Sequence, residues 1–148
     1  MGRVKTYDRE DVTRKAMALF WRSGYEATST KSLAEHMGIN VYSLFAEFDS
    51  KQGLYESALA LYRDEVVCER FKDLRQESAG VEEIVKLLKS FAAHAKSPEA
   101  INGCLMCNTA TERSPRDEVS RQIVAENFEL NKEMINRSLE NSKNRGEI

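Results

Sequence analysis

The sequence predicts an all-α fold made of successive helices. Apolar residues recur at three- and four-residue spacings along most of the 148 residues, as expected for helices with one buried face. No segment shows the sustained alternation of a half-buried strand, and no Asn-Gly or Asp-Gly pair joins two strand-like runs. A hydrophobic content of 41% with only two prolines disfavours a disordered chain, so one domain or two small ones are expected.

Three short helices are predicted in the first third of the chain. The first begins at the N-cap Asp8 and ends at Gly24. The second runs from about Thr30 to Met37, and the third from about Val41 to Glu47. The inward candidates on these three helices are Val12, Ala16, Leu19, Phe20, Leu33, Ala34, Met37, Leu44, Phe45 and Phe48.

Longer helices are predicted in the remainder. Residues 49–51 cap a fourth helix whose apolar spacing continues to about Val66. A fifth helix follows the break at residues 78–80, and the segment around Cys104 also has a helical pattern. The last helix spans about Pro115 to Asn144, because proline suits the first turn of a helix.

The link between the second and third helices has the pattern of a tight helix-turn-helix corner. Gly38 supplies the positive φ that this turn needs, and Ile39 can fill the inside of the corner. Asn40 can accept hydrogen bonds from the free N–H groups of the next helix. The third helix would then present Val41 and Tyr42 where helix-turn-helix proteins contact the major groove. The same pattern fits a helical hairpin that does not bind DNA, so the turn alone leaves both interpretations open.

The charge distribution neither favours nor excludes nucleic-acid binding. The net charge is −2, with eight Lys/Arg against seven Asp/Glu in residues 1–55 and fourteen against seventeen in residues 56–148. The small basic excess lies in the predicted helix-turn-helix. Because each neutralised phosphate releases counterions locally, an acidic remainder is compatible with DNA binding but does not favour it.

The composition predicts a cytoplasmic protein with no membrane partner. Three cysteines, Cys68, Cys104 and Cys107, are an odd number without a disulfide framework, which suits a reducing compartment. No apolar run approaches the roughly 20 residues that span a bilayer. No apolar stretch follows the basic residues Arg3 and Lys5, as it would in a signal peptide.

The C-x-x-C pair of Cys104 and Cys107 leaves two interpretations open. A structural zinc site needs four ligands, and no second Cys/His pair has suitable spacing, so no metal is expected. Both cysteines could simply pack between helices, or Cys104 could act as a thiol sensor of electrophiles. Glu112 and Arg113 have the pattern of a solvated face.

Other function classes have weaker support. The motifs G-x-S-x-G, H-E-x-x-H and the Walker loop are absent and only two histidines occur, so no enzyme, catalytic residue or cofactor is expected. A helical protein-interaction module that does not bind DNA remains an alternative.

A dense set of residues between Asp8 and Tyr62 forms a specific pattern: Ala18-Leu19-Phe20, Gly24-Tyr25-Glu26-Ala27-Thr28, Leu33-Ala34, Met37-Gly38-Ile39, Ser43-Leu44-Phe45, Phe48, Ser50-Lys51, Leu54 and Tyr55. This pattern resembles the DNA-binding domain of the tetracycline-repressor (TetR) family of transcriptional regulators. The resemblance implies a helix-turn-helix domain over residues 1–55. It also implies a helical domain over residues 56–148 that binds a small ligand and forms the dimer. The implied function is a ligand-responsive repressor of a palindromic operator.

The resemblance also implies a set of DNA contacts. Val41 and Tyr42 are the candidates for base edges. Phe45 and Glu47 depart from the family pattern, because Phe45 has no hydroxyl for a phosphate and Glu47 would repel one if it faced the DNA. The remaining candidates lie at the predicted helix starts and in a basic N-terminal arm, and they are Arg3, Lys5, Thr28, Thr30, Lys31, Asn40, Ser43 and Lys51.

Two further expectations concern the second domain. A ligand pocket is predicted around Phe91, His94, Cys104 and Asn108. TetR-like proteins generally continue for several tens of residues beyond a helix like the predicted last one, into the helices of the dimer interface. The resemblance therefore implies either a domain truncated at its C-terminal end or an unusually short member of the family, and weak DNA binding by this chain unless another surface pairs it.

Overall fold

The fold is helical, as predicted. The structure is a computed structural model that describes residues 7–148, and no strand occurs in that range. A π-helical segment, Arg63–Val67, joins α4 to α5, and two 3-10 turns span Asp73–Arg75 and Pro98–Asn102. The α-helices are α1 Arg9–Ser23, α2 Thr30–Met37, α3 Val41–Phe48, α4 Lys51–Tyr62, α5 Cys68–Arg70, α6 Val81–His94, α7 Leu105–Glu112 and α8 Glu118–Asn144.

The predicted helix ends of the first three helices are confirmed to within a residue. The Asp8 carboxylate caps α1 by accepting the Asp11 N–H at 2.8 Å, and Gly24 ends that helix at φ 80°. The predicted start of the fourth helix is also confirmed, because the Ser50 hydroxyl accepts the Gly53 N–H at 2.9 Å. The last helix starts later than predicted, after the N-cap Asp117.

One apolar core crosses the predicted boundary between residues 55 and 56. It joins the buried faces of α1–α4 to Leu105 and Met106 of α7 and to Val124 of α8. Phe20 and Tyr55 pack edge to face with ring centroids 4.8 Å apart near its middle. The division at residue 55 stays a prediction, and the shared core indicates that the two parts support each other.

The buried face of α8 is more polar than its apolar spacing suggests. Ser120, Asn127 and Ser138 are at most 4% exposed, whereas Phe128 and Leu130 are exposed. The Ser138 hydroxyl donates to the Met134 carbonyl at 2.8 Å, so small side chains satisfy their own groups and let neighbouring helices approach. Apolar periodicity alone therefore assigns the inward face of this helix incorrectly.

Candidate nucleic-acid interface

The turn between α2 and α3 is closed by the residues that the sequence singles out. Gly38 adopts φ 73° and ψ 28°, a left-handed conformation that glycine tolerates without steric cost. The Ile39 N–H donates to the Ala34 carbonyl at 3.0 Å, which completes a Schellman-type end for α2. The Asn40 side chain then accepts the Ser43 N–H at 2.7 Å and caps α3. These bonds fix the direction of α3 relative to α2.

The outer face of α3 is apolar and exposed. Tyr42 is 83% exposed, and Val41 and Phe45 are 36% and 41% exposed. On the opposite face Leu44 and Phe48 are buried and anchor the helix to the core. The predicted inward position of Phe45 is wrong, because one residue beyond Leu44 lies about 100° around the helix. A cluster of large apolar side chains on a two-turn surface helix is typical of a binding surface.

Glu47 does not face outward with an uncompensated charge. Its side chain is 6% exposed, and one carboxylate oxygen lies 3.1 Å from Nε of Arg9. The Tyr7 hydroxyl donates to the other carboxylate oxygen at 3.4 Å. The guanidinium of Arg9 also lies over the Phe48 ring, 4.9 Å from its centroid. The predicted conflict between Glu47 and a DNA phosphate is therefore removed by its pairing with α1.

The start of α2 presents some of the predicted phosphate contacts and buries one. Ser29 is the N-cap and accepts the Ser32 N–H at 3.0 Å. Lys31 is exposed and Thr30 is half-buried. Thr28 is 2% exposed, and its hydroxyl donates to the Gly24 carbonyl at 2.6 Å. The Thr28 side chain therefore stabilises the loop, and the phosphate contact predicted for it stays a prediction.

Lys51 lies at the junction between the two domains. Its ammonium nitrogen is 4.0 Å from the centroid of the Tyr25 ring, and the Arg113 guanidinium carbon is 3.9 Å from the same centroid. Partial burial lowers the pKa of Lys51, against the opposing effect of Glu26. The phosphate contact predicted for Lys51 stays a prediction, and in the present geometry its ammonium packs on an aromatic ring.

Glu112 and Arg113 form a clamp between α7 and the loop after α1. The Glu112 carboxylate accepts the N–H groups of Tyr25 and Glu26 at 3.0 and 2.9 Å. Arg113 pairs with the Glu26 carboxylate at 2.8 Å and donates to the Gln52 side-chain oxygen at 3.0 Å. The expectation that Glu112 and Arg113 form a solvated face is wrong. Their partners are more than 60 positions away in the chain, and no local pattern indicates them.

The clamp leads to a prediction about stability. Replacing Glu112 by Ala leaves the N–H groups of Tyr25 and Glu26 without their acceptor. We expect the free energy of unfolding to fall by about 1–2 kcal/mol. Denaturant titration measures this loss, and Glu112→Gln, which keeps one acceptor oxygen, should lose less. In Glu129→Ala, which breaks only an exposed pair with Lys132, the midpoint should hardly change. Equal stability of Glu112→Ala and the parent chain would exclude the clamp.

The predicted ligand residues form two pairs: Phe91 and His94 lie one turn apart on α6, and the Asn108 N–H donates to the Cys104 carbonyl at 2.9 Å at the start of α7. The Phe91 ring packs against Phe71 at the surface, with centroids 6.4 Å apart. His94 lies 3.4 Å from the Ser97 hydroxyl, and the Asn108 amide donates to the Asn102 carbonyl at 2.9 Å. These contacts stabilise local turns.

A cavity of about 710 Å³ lies elsewhere, between residues 63–75 and the second half of α8, and none of Phe91, His94, Cys104 and Asn108 lines it. The sequence pattern gave no indication of this cavity, because its two walls are about 60 residues apart in the chain.

The C-x-x-C pair sits at the start of α7 as free thiols. Cys104 is the N-cap of α7. Burial and the neighbouring Cys104 thiol raise the pKa of Cys107 to about 11. Since the thiolate is the reactive form, Cys107 is a poor nucleophile at neutral pH.

Residues 7–148 contain neither a candidate metal site nor a candidate membrane span. No group of three or more His, Cys, Asp or Glu side chains in residues 7–148 is arranged to hold a metal ion. In the same range, no helix has both the length and the apolar character needed to cross a membrane. Arg3 and Lys5 lie outside the described residues.

A short exposed helix, fixed by a left-handed turn and joined to a helical domain with its own cavity, defines a helix-turn-helix protein of the DNA-binding type. Residues 12–58 match the family model described as bacterial regulatory proteins, tetR family. Residues 80–148 match the model described as tetracyclin repressor-like, C-terminal domain. The chain belongs to the TetR family.

Individual relatives agree with this assignment. ComR, an HTH-type transcriptional repressor of Escherichia coli K12, is 40% identical over 117 residues, which are 77% of this chain and 55% of ComR. YezE of Bacillus subtilis 168, an HTH-type transcriptional regulator, is 29% identical over 153 residues, covering 100% of this chain and 76% of YezE. The chain thus spans about half of ComR and three quarters of YezE.

A solved structure has the same fold. A cysteine-substituted TetR-family regulator, CifR, complexed with a 26-bp operator DNA, superimposes with a TM-score of 0.76 at 31% identity. The match covers 96% of this chain and 76% of the CifR chain.

Proposed function

We propose that the chain acts as a DNA-binding transcriptional regulator, a ligand-responsive repressor that binds a palindromic operator as a homodimer. The observation that carries this proposal is the exposed face of Val41, Tyr42 and Phe45 on α3. The opposite face of the same helix is buried, and the turn before it is fixed by hydrogen bonds. A rigid helix with an exposed apolar and aromatic face suits insertion into a major groove.

Base reading is assigned to Val41 and Tyr42. The Tyr42 ring can contact a thymine methyl group, and its hydroxyl can donate to or accept from a base edge. Phe45 adds apolar contact on the same face. Because Asn40 uses its side chain to cap α3, its contribution is to hold the reading helix in place.

Phosphate contacts are assigned to the helix starts. The N–H groups at the beginning of α2 have no partners inside the helix and suit an anion. Lys31, with its side chain 83% exposed, adds a cation there, and Thr30 and Ser43 add hydroxyls. Arg3 and Lys5 are assigned to an arm along the DNA backbone.

The relatives support the regulatory part of the proposal. ComR is named a repressor, and CifR was solved on operator DNA. A dimer would place two copies of α3 in successive major grooves, about 34 Å apart, and would explain a palindromic operator. The match of residues 80–148 to the family's C-terminal domain supports an effector site and a dimer interface in this half. The site of action would be the cytoplasm, where the DNA lies.

A salt titration with a matched variant tests the proposal. DNA duplexes selected from a random pool are bound to the chain at increasing salt, and binding is followed by fluorescence anisotropy. We expect affinity to fall steeply with salt, and Lys31→Gln to weaken binding to all duplexes and reduce the slope of log K against log salt by about 1. Lys132→Gln on α8 is the control and should behave as the parent chain. Salt-independent binding would instead indicate an apolar contact of the kind made by a protein-interaction module.

A further inference from the structure

The cavity beside α8 has the chemistry of a binding site for a small organic anion. We propose that it binds a carboxylate with an apolar body, such as a medium-chain fatty acid. Binding of this ligand does not depend on DNA. Only its role as the effector rests on the proposed function. A volume of about 710 Å³ lies within the range of small-molecule sites, roughly 300–1,000 Å³.

Arg137 provides a fixed cation at one end of the cavity. Its Nη2 donates to the Leu74 carbonyl at 2.8 Å and lies 3.5 Å from the Gln76 carbonyl. It forms no ion pair with any carboxylate among residues 7–148, and its Nε is buried without a partner. The side chain is therefore held in place while its charge stays uncompensated. A guanidinium with free N–H groups binds a carboxylate through strong, charge-assisted hydrogen bonds.

The charges of the other lining residues also favour an anion. Arg75 lies on the opposite wall from Arg137 and has no ion-pair partner in the described part of the chain. Arg63 is neutralised by the Asp64 carboxylate, 3.0 Å away. Glu133 is the remaining lining carboxylate, so three arginines face two acids in total. Arg75 and Arg137 are therefore the lining arginines whose charge no carboxylate among residues 7–148 compensates.

The rest of the cavity suits the body of such a ligand. Val67, Phe71 and Met134 supply apolar surface along both walls. Asn127, 4% exposed, also lines the cavity, and its amide makes no hydrogen bond to another side chain or to a carbonyl in residues 7–148. Its polar atoms are not among the buried unsatisfied ones, so the amide is available to hydrogen-bond a ligand or water in the cavity.

The backbone of one wall is unusual in the same place. Residues Arg63–Val67 form a π-helical turn in the middle of an otherwise α-helical stretch. Such turns are rare and occur frequently at functional sites, because the extra residue redirects the side chains around it. Here the redirected side chains include three that line the cavity, Arg63, Asp64 and Val67.

Calorimetric titration of the 148-residue chain with octanoate tests the proposal. Octanol and octylammonium serve as neutral and cationic probes of the same chain length. We expect octanoate to bind about tenfold more tightly than octanol, as one charge-assisted hydrogen-bonded contact implies, and octylammonium to bind more weakly than both. Equal affinity for octanoate and octanol would overturn the proposal.

Substitutions locate the binding. Arg137→Gln should reduce octanoate affinity to that of octanol and leave octanol binding unchanged. Since Arg137 also bonds backbone carbonyls and its loss could unfold the chain, Arg75→Gln provides a second test, with a smaller loss of the same preference. Arg121→Gln, on α8 but outside the cavity, should keep full affinity. Preference for octanoate that survives both Arg137→Gln and Arg75→Gln would place the anion elsewhere and overturn the assignment.

The two proposals can fail separately. If the chain binds octanoate as described but does not bind DNA, the proposed function fails and the anion site stands. If it binds DNA with the expected salt dependence and shows no preference for octanoate over octanol, the anion site fails and the DNA-binding proposal stands.

Discussion

Replacing Tyr55 by Ala is expected to lower the free energy of unfolding by about 3–5 kcal/mol, the usual cost of deleting a buried aromatic side chain. Tyr55 is 1% exposed, and its ring packs edge to face on Phe20 and Tyr25 with centroids 4.8 and 4.9 Å away. Its hydroxyl lies 2.8 Å from that of Thr109 on α7. Burial raises the pKa of Tyr55 to about 12, so the phenol stays protonated near neutral pH and can donate this bond.

Denaturant unfolding followed by two probes separates this effect from local loosening. Trp21 fluorescence reports the packing of α1 against Tyr62 and Gly103, and circular dichroism reports the whole chain. The two transitions should coincide and shift together in Tyr55→Ala, because the core is shared between the two parts. Tyr55→Phe, which removes only the hydroxyl, should cost about 1 kcal/mol. Two separate transitions in Tyr55→Ala would show that the chain does not unfold as one cooperative unit.

Replacing Tyr42 by Ala is expected to weaken operator binding by about tenfold to a hundredfold, the effect of losing one or two good base contacts. The side chain is 83% exposed and makes no contact that stabilises the fold, so the free energy of unfolding should stay within about 0.5 kcal/mol of the parent value. Anisotropy and denaturant titration measure the two quantities on the same preparation. Tyr42→Phe keeps the ring and separates the contribution of the hydroxyl.

The opposite pattern would remove Tyr42 from the interface. If Tyr42→Ala kept full affinity while Phe45→Ala lost it, the reading face would lie nearly one turn further along α3. A large loss of stability in Tyr42→Ala would mean that the side chain supports the fold.

The helix-turn-helix could be predicted from the sequence because its determinants are local. Gly38 closes the turn and Asn40 and Ser50 cap helices within three residues of themselves. Each of these residue types has a strong conformational reason to occupy its position, whatever lies elsewhere in the chain. The exposure of Tyr42 followed from the same reasoning, since the buried residues of so short a helix leave one face free.

The features that the sequence did not predict depend on distant partners. Thr28 is of a type that suits phosphate contact, but the loop turns its hydroxyl to Gly24. Glu47 is neutralised by Arg9, which lies on another helix. The Glu112 carboxylate on α7 accepts the Tyr25 N–H, and the Arg137 guanidinium on α8 donates to the Leu74 carbonyl. Residue type and spacing do not predict such pairings, because they form only when distant helices pack together.

The cavity is connected to the helix-turn-helix through helices that pack on one another. The far half of α8 lines the cavity, and its first turn is tied to α4 by the Gln52 amide, 3.0 Å from the Asp117 carboxylate. Arg113, between α7 and α8, bonds both Gln52 and Glu26. A ligand that moves α8 would therefore act on residues that position the loop before α2. Effector binding and DNA binding are thus expected to change each other's affinity.

The most direct test of the central claim is the selection of DNA from a random pool by the chain and by Tyr42→Ala in parallel, with sequencing of the bound fraction. If α3 reads DNA through its exposed face, the chain enriches a defined half-site and Tyr42→Ala loses preference at one or two positions of that half-site while keeping the others. Lys132→Gln, far from α3, should enrich the same site as the parent chain. Enrichment of no sequence by the chain, or of an identical site by Tyr42→Ala, would contradict the account.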